Sequence, residues 1–127
     1  MRNVRLAQGS LLAPVPAAWH GQVAAIAANL PISPPRLAVE LSRARGWPVG
    51  TATGWGADGL GLVRALVRDA RGVLAPGGHL HLHLVGDQGA WIAPYLDELG
   101  YTAEIPPDST RRATVEVTAR WPGIAPA

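Results

Sequence analysis

The segment that most narrows the fold is Val23-Ala24-Ala25-Ile26-Ala27-Ala28, an apolar run stopped at once by Asn29-Leu30-Pro31. A short run without polar alternation, closed by turn-forming residues, reads as a strand buried on both faces, as strands of a parallel sheet are. An earlier segment, Val4-Arg5-Leu6-Ala7-Gln8, alternates weakly and ends at Gly9-Ser10, so it is expected to be a further strand. Ser33-Pro34-Pro35 can open a helix, because Pro is tolerated in the first helical turn and Ser can cap it; Leu37, Leu41 and Ala44 then form a modest stripe before Gly46.

The second half of the chain repeats the alternation of strand and helix. Five glycines lie between Gly50 and Gly61, after which Leu62, Val63, Leu66, Val67 and Ala70 recur at helical spacing toward Leu74, with Asp58 as a natural N-cap. Ala75-Pro76-Gly77-Gly78 breaks that helix, and His79 to Val85 alternates His and Leu as a strand does. Gln88 to Leu99 reads as an amphipathic helix through Trp91, Ile92, Tyr95, Leu96 and Leu99, with Gly100 as its stop. Tyr101 to Ile105 and Ala113 to Trp121 are expected to be the last two strands. The result is an α/β fold: one domain over residues 1–127, a mostly parallel sheet closed by an antiparallel pair of C-terminal strands.

Composition removes several classes of function. Of 127 residues, 48% are hydrophobic and 16% charged, enough to build one core. Without cysteine there is no disulfide framework, thiolate nucleophile or Cys-ligated zinc, and the expected compartment is the reducing cytoplasm. No apolar run reaches the ~18 residues of a membrane span, and Met1-Arg2-Asn3-Val4-Arg5 lacks the apolar core of a signal peptide. The net charge of +2 is too small to mark a nucleic-acid footprint.

Ligands of open α/β sheets bind outside the carboxyl ends of the strands, which places a site at Asn29-Leu30-Pro31-Ile32. An Asn side-chain oxygen and a neighbouring backbone carbonyl can hold the two N–H groups of an amide or base, leaving the nitrogen lone pair aimed outward. The plain reading of the same residues is a strand-ending turn. His79, His81 and His83 share one strand face with the reach for two of them to bind zinc, although a full site needs further ligands; otherwise they form a solvated face. Ser10 and Ser42 lie in no nucleophile elbow. Arg111-Arg112 is a solvated pair that can touch phosphate, and the tryptophans read as packing, with Trp55 beside the expected pocket.

Four ordered segments resemble the C-terminal half of the class I S-adenosylmethionine-dependent methyltransferases, nearest the protein-glutamine methyltransferases that modify release factors. Gln8-Gly9-Ser10-Leu11 is similar to the segment after the family's third strand, and Asn29-Leu30-Pro31-Ile32 to its Asn-Pro-Pro-Tyr signature. Gly54-Trp55-Gly56-Ala57-Asp58-Gly59-Leu60 is similar to its Gly-Gly-x-Asp-Gly-Leu element. Leu74-Ala75-Pro76-Gly77-Gly78, followed by Asp87-Gln88-Gly89, resembles the turn before its fifth strand and the start of the next helix. The resemblance implies a partial Rossmann-like sheet, strands three to seven of the order 3-2-1-4-5-7-6.

It also implies S-adenosylmethionine as cofactor and methylation of an amide or base nitrogen in a protein or nucleic acid. Asn29 and Pro31 would be catalytic, Leu30, Ile32 and Trp55 would bind the acceptor, and Ser10 would stand where the family places the acid that binds the cofactor's adenine. Four positions depart from the pattern: Leu30 replaces Pro, Ile32 replaces an aromatic, Ser10 replaces the acid, and His83 replaces a strand-five Glu. The family's glycine-rich turn and ribose-binding acid have no counterpart ahead of Val4. Either a partner chain supplies the missing half, or the chain is a truncated relic, or its start is misassigned. Without that half the fourth strand becomes an edge open to a complementary chain or a second copy. The competing expectation is a non-catalytic fragment that binds or oligomerises; no metal and no membrane are expected.

Overall fold

The computed structural model describes residues 3–32, 40, 43–44, 46, 58–108 and 114–124. Its elements are β1 (Val23–Ala28), α1 (Gly61–Ala70), β2 (Leu74–Val85), α2 (Gln88–Glu98), β3 (Thr102–Glu104) and β4 (Thr114–Arg120), preceded by a single 3-10 turn at Ala17–Trp19. The strands form one four-stranded sheet in the order β1-β2-β4-β3. β1 pairs with β2 in parallel, whereas β4 runs antiparallel to both β2 and β3. β1, β2 and β3 therefore share one direction, and only β4, inserted between β2 and β3, is opposed to them, so the sheet is mixed and has the expected antiparallel pair of C-terminal strands.

Alternation along β2 decides how the layers stack. Leu80, Leu82 and Leu84 are buried on one face and oppose Ala119, Val117 and Val115 across the β2–β4 ladder. The buried stripe of α1 (Val63, Leu66, Val67, Ala70) and Ile92 and Leu96 of α2 join the same core. Each fully buried leucine contributes about 2 kcal/mol of transfer free energy. The opposite face carries His79, His81 and His83 from β2 and Glu116, Thr118 and Arg120 from β4, all exposed or half-buried. Among the described residues both helices cover one face only, so this is a two-layer arrangement.

Local chemistry ends the elements where it does. At the end of α2, Gly100 takes the left-handed conformation (φ +99°). Its N–H reaches the Asp97 carbonyl at 3.0 Å, and the Tyr101 N–H reaches the Leu96 carbonyl at 3.0 Å. This is the Schellman arrangement, with Tyr101 turned back onto the helix it follows. The Tyr101 hydroxyl then donates to the Val67 carbonyl at 2.6 Å, satisfying a last-turn carbonyl of α1, while its ring lies 5.5 Å from that of Trp121. Ala75-Pro76-Gly77-Gly78 does not follow a helix that reaches Leu74. Leu74 already pairs with Val23, and the four residues bulge before His79 pairs with Ala25. At Gly78 a Cβ would meet the backbone oxygens of Ala75 and Val23 at 2.9 and 3.0 Å, so only glycine lets the bulge close onto β1.

Two strand expectations are corrected. Val4 to Gln8 forms no strand: it pairs with nothing, and Leu6 is 97% exposed. A weakly alternating segment gains little as a strand unless a neighbouring ladder takes its N–H and C=O groups. β1 has the expected bounds but is not buried on both faces. Among the described residues it pairs only with β2, and Ala24, Ala25 and Ala27 are exposed. Of the helix expected after Ser33, Glu40, Arg43 and Ala44 are helical and exposed, and the remainder lies outside the described residues, as do Gly54, Gly56 and Arg111-Arg112. No helix among the described residues is long and apolar enough to cross a membrane.

Candidate functional site

β1 and β2 run in the same direction, so their carboxyl ends open on the same end of the sheet, and Asn29 is the first residue past the end of β1. It is exposed there, on the rim of a depression of about 330 Å³ lined by Ala27, Ala28, Asn29, His81, His83 and Glu116. The alanines make the hollow: side chains of one carbon on β1 stand beside imidazoles on β2. Nδ1 of His83 lies 2.5 Å from Oε1 of Glu116, and Nδ1 of His81 lies 3.2 Å from the Thr118 hydroxyl, so each ring is held by its cross-strand neighbour.

The residues after Asn29 turn inward. Leu30 packs against the core, Pro31 is half-buried, and Ile32 is 7% exposed within the core cluster. The expected contact between Ile32 and an acceptor is thus not available, because the side chain spends its apolar surface on the interior. This inward turn is held by a residue that the sequence places at the start of a helix without marking a role for it. Gln88, at the first position of α2 and 1% exposed, accepts from the Val85 N–H at 3.0 Å through Oε1. Its Nε2 donates to the Ile32 carbonyl at 2.7 Å and the Asp58 carbonyl at 2.8 Å. One carboxamide therefore joins the end of β2, the loop after β1 and the approach to α1. In the sequence its only sign is a polar residue at the first position of the helix that follows β2.

Asp58 is not the N-cap expected of it: the cap position of α1 is Leu60, which makes no side-chain cap bond, and Asp58 stands two residues before it. Its Oδ1 accepts the Leu60 N–H at 3.0 Å, and its carboxylate pairs with Arg64 through both guanidinium nitrogens. The Arg64 hydrogen bond, aided by the Leu60 N–H, holds the Asp58 carboxyl below its usual range against the opposing effect of burial. This pair fixes the start of α1 and lies outside the depression.

Ser10 is not brought to Asn29. It lines a separate cavity of about 370 Å³ with Leu11, Leu12, His20, Asp69 and Val73. That cavity sits at the amino end of the parallel pair, where the N–H groups of Gly21 and Val23 both bond the Val73 carbonyl. The six residues of β1 span roughly 20 Å at about 3.3 Å each, so Ser10 and Asn29 stand at opposite ends of one strand. They do not fit a single S-adenosylmethionine: a group held at one end cannot present its reacting atom at the other while remaining bound at both. Trp55 lies outside the described residues. No protein-family model, curated protein or solved structure matches the chain.

Proposed function

We infer that the chain is the acceptor-side half of an S-adenosylmethionine-dependent N-methyltransferase, with the cofactor contacts supplied by a complementary polypeptide that pairs along the edge of β1 that no other described strand takes. The observation that carries this reading is the strand order β1-β2-β4-β3 with an antiparallel β4. It has the form of the last four strands of the order implied by the resemblance, four-five-seven-six, and Asn29 follows the strand that corresponds to the fourth. On this reading the Asn29 carboxamide oxygen accepts an N–H from the acceptor amide or base. One N–H so fixed restricts rotation about the acceptor nitrogen and leaves its lone pair directed away from the sheet, which is a contribution of positioning. Gln88 is a positioning residue for the loop, since it anchors the Ile32 carbonyl three residues from Asn29.

The test uses the chain mixed with a polypeptide carrying the glycine-rich turn and ribose-binding acid of a glutamine methyltransferase. Label transfer to a glutamine-containing peptide is expected for the wild-type mixture, and loss on the order of a hundredfold for Asn29→Ala. Equal transfer by the variant would remove Asn29 from this role. Calorimetric titration of the isolated chain with S-adenosylmethionine should give no binding, and micromolar binding would contradict the division between two polypeptides.

The second reading, a non-catalytic module that pairs through β1, is favoured by Ile32 lying in the core and by Ser10 lying at the far end of the sheet. It predicts pairing along β1 without transfer in any mixture.

A further inference from the structure

The amino-terminal residues form no strand, but a succession of turns gives them a fixed course. The Ala13, Val15 and Trp19 N–H groups bond the Ser10, Leu12 and Pro16 carbonyls at 3.0, 3.0 and 2.9 Å, and a Cβ on Gly9 would overlap the Pro14 ring. Leu11 is held at φ +50°, a left-handed conformation that strains a leucine and persists only where its surroundings impose it. These turns build a hollow of about 400 Å³ lined by Leu6, Leu11, Pro14, Val15, Pro16 and Trp19, with Leu11 as the wall shared with the Ser10 cavity. Arg5 is the only charged side chain on that lining among the described residues. Its guanidinium lies over the Trp19 ring, 5.4 Å from the ring centroid, and pairs with no carboxylate among the described residues. The indole face steadies the guanidinium without occupying its N–H donors, which lie in the plane of the group. Around this cation apolar surface stands in water: Leu6 is 97% exposed, Val4 54% and Trp19 44%.

We propose that this hollow binds a monocarboxylate with an apolar body, of the medium-chain fatty-acid class. Arg5 takes the carboxylate through its in-plane N–H donors, and Leu6, Trp19 and the two prolines cover the chain. The charge count selects the headgroup. One guanidinium balances one carboxylate, whereas a phosphate monoester, at about −1.5 to −2, exceeds it and an ammonium group is repelled. The hollow has the size of small-molecule pockets, ~300–1,000 Å³, and one ion among apolar side chains is their usual makeup. An apolar chain laid over Leu6 and Trp19 also excludes water from the ion pair and so strengthens it. The hollow is separate from the depression at Asn29, so the proposal does not rest on the acceptor reading.

Calorimetric titration of the full chain with sodium decanoate, below the concentration at which it forms micelles, should show one saturable micromolar site. In NMR the same titration should move the Trp19 indole N–H and the Arg5 Nε–H signals. Decanol, which lacks the charge, and decyltrimethylammonium, which reverses it, are each expected to bind at least about tenfold more weakly, and acetate not at all. Arg5→Gln should weaken decanoate about tenfold or more and leave decanol unchanged, and Leu6→Ser should weaken both by about tenfold. Asn29→Ala and Arg120→Gln, which alter an amide and a cation elsewhere on the surface, should bind as the wild type does. Every substituted side chain is exposed, so far-UV circular dichroism should be unchanged in each variant. Absence of saturable binding up to millimolar decanoate would overturn the assignment. So would equal binding of decanol by the wild type, full affinity for decanoate in Arg5→Gln, or loss of the site in Asn29→Ala or Arg120→Gln.

Discussion

Replacing Gln88 by Glu changes one amide nitrogen into an oxygen inside the core and so isolates what that carboxamide contributes. In the native chain its Nε2 donates to two carbonyls, at 2.7 and 2.8 Å, from a residue that is 1% exposed. A protonated Glu keeps the bond from the Val85 N–H and can donate to only one of the two carbonyls. The other is left buried without a donor, at a cost of about 1–3 kcal/mol. An ionised Glu can donate to neither and places a charge against two carbonyl oxygens. The folded state therefore retains the proton, and the pKa of the introduced carboxyl is raised above its unfolded value near ~4.3. For a pKa raised on folding, the stability is intact below the unfolded value and is lost as pH rises. The loss is about 1.4 kcal/mol per pH unit until the folded state ionises in turn.

At pH 6.3 the Gln88→Glu variant should therefore be less stable by roughly 4–6 kcal/mol, a large part of the ~5–15 kcal/mol that holds a domain together. Urea unfolding monitored by tryptophan fluorescence between pH 4 and 7 measures it. Gln88→Leu is the reference for pH dependence, since it loses all three bonds without gaining a titratable group and should have the pH slope of the wild type. If Gln88→Glu loses less than ~1 kcal/mol, or follows the slope of Gln88→Leu, the carboxamide does not hold this junction together.

Three further outcomes follow from other contacts. Burial pushes the Tyr101 hydroxyl well above its ordinary range, so the folded chain keeps its proton at a pH where the unfolded chain loses it. Stability supplied by Tyr101 is present below pH ~10 and lost as pH rises beyond it; Tyr101→Phe should cost about 1–2 kcal/mol at pH 7 and flatten that alkaline loss in melting curves. The Asp58 carboxyl is lowered chiefly by Arg64, so its contribution holds above pH ~4 and disappears as pH falls further. The pair is partly exposed, which limits it to ~1 kcal/mol, and a difference between the wild type and Asp58→Asn that fails to shrink on acidification would refute the pairing. Gly78→Ala should destabilise by about 1–3 kcal/mol, because the atoms its Cβ would meet are backbone oxygens of the bulge and of β1; an unchanged melting temperature would show that the bulge can move.

What could be read before any coordinates was local. The alternation of His and Leu from His79, the stripe of Val63, Leu66, Val67 and Ala70, and the glycine stop at Gly100 all reappear, since strand and helix periods and a left-handed terminus are written over a few consecutive residues. Asn29 was legible as a rim residue for the same reason: it immediately ends an apolar strand.

Tertiary structure decided the rest. Val4 to Gln8 has a pattern that permits a strand, but a strand exists only where another offers a ladder, and β1 offers none to it. Ile32 and Ser10 were assigned by order along the chain. Order does not say that one side chain turns into the core, or that the other stands at the opposite end of the sheet. Gln88 joins segments 30 and 56 residues away, a distance over which no periodicity carries information. Sequence by itself determined the periods of α1, α2 and β2 and which of their faces are apolar. Only the packed chain determined which faces are covered and which distant groups meet, because burial and hydrogen-bond partnership belong to pairs of segments.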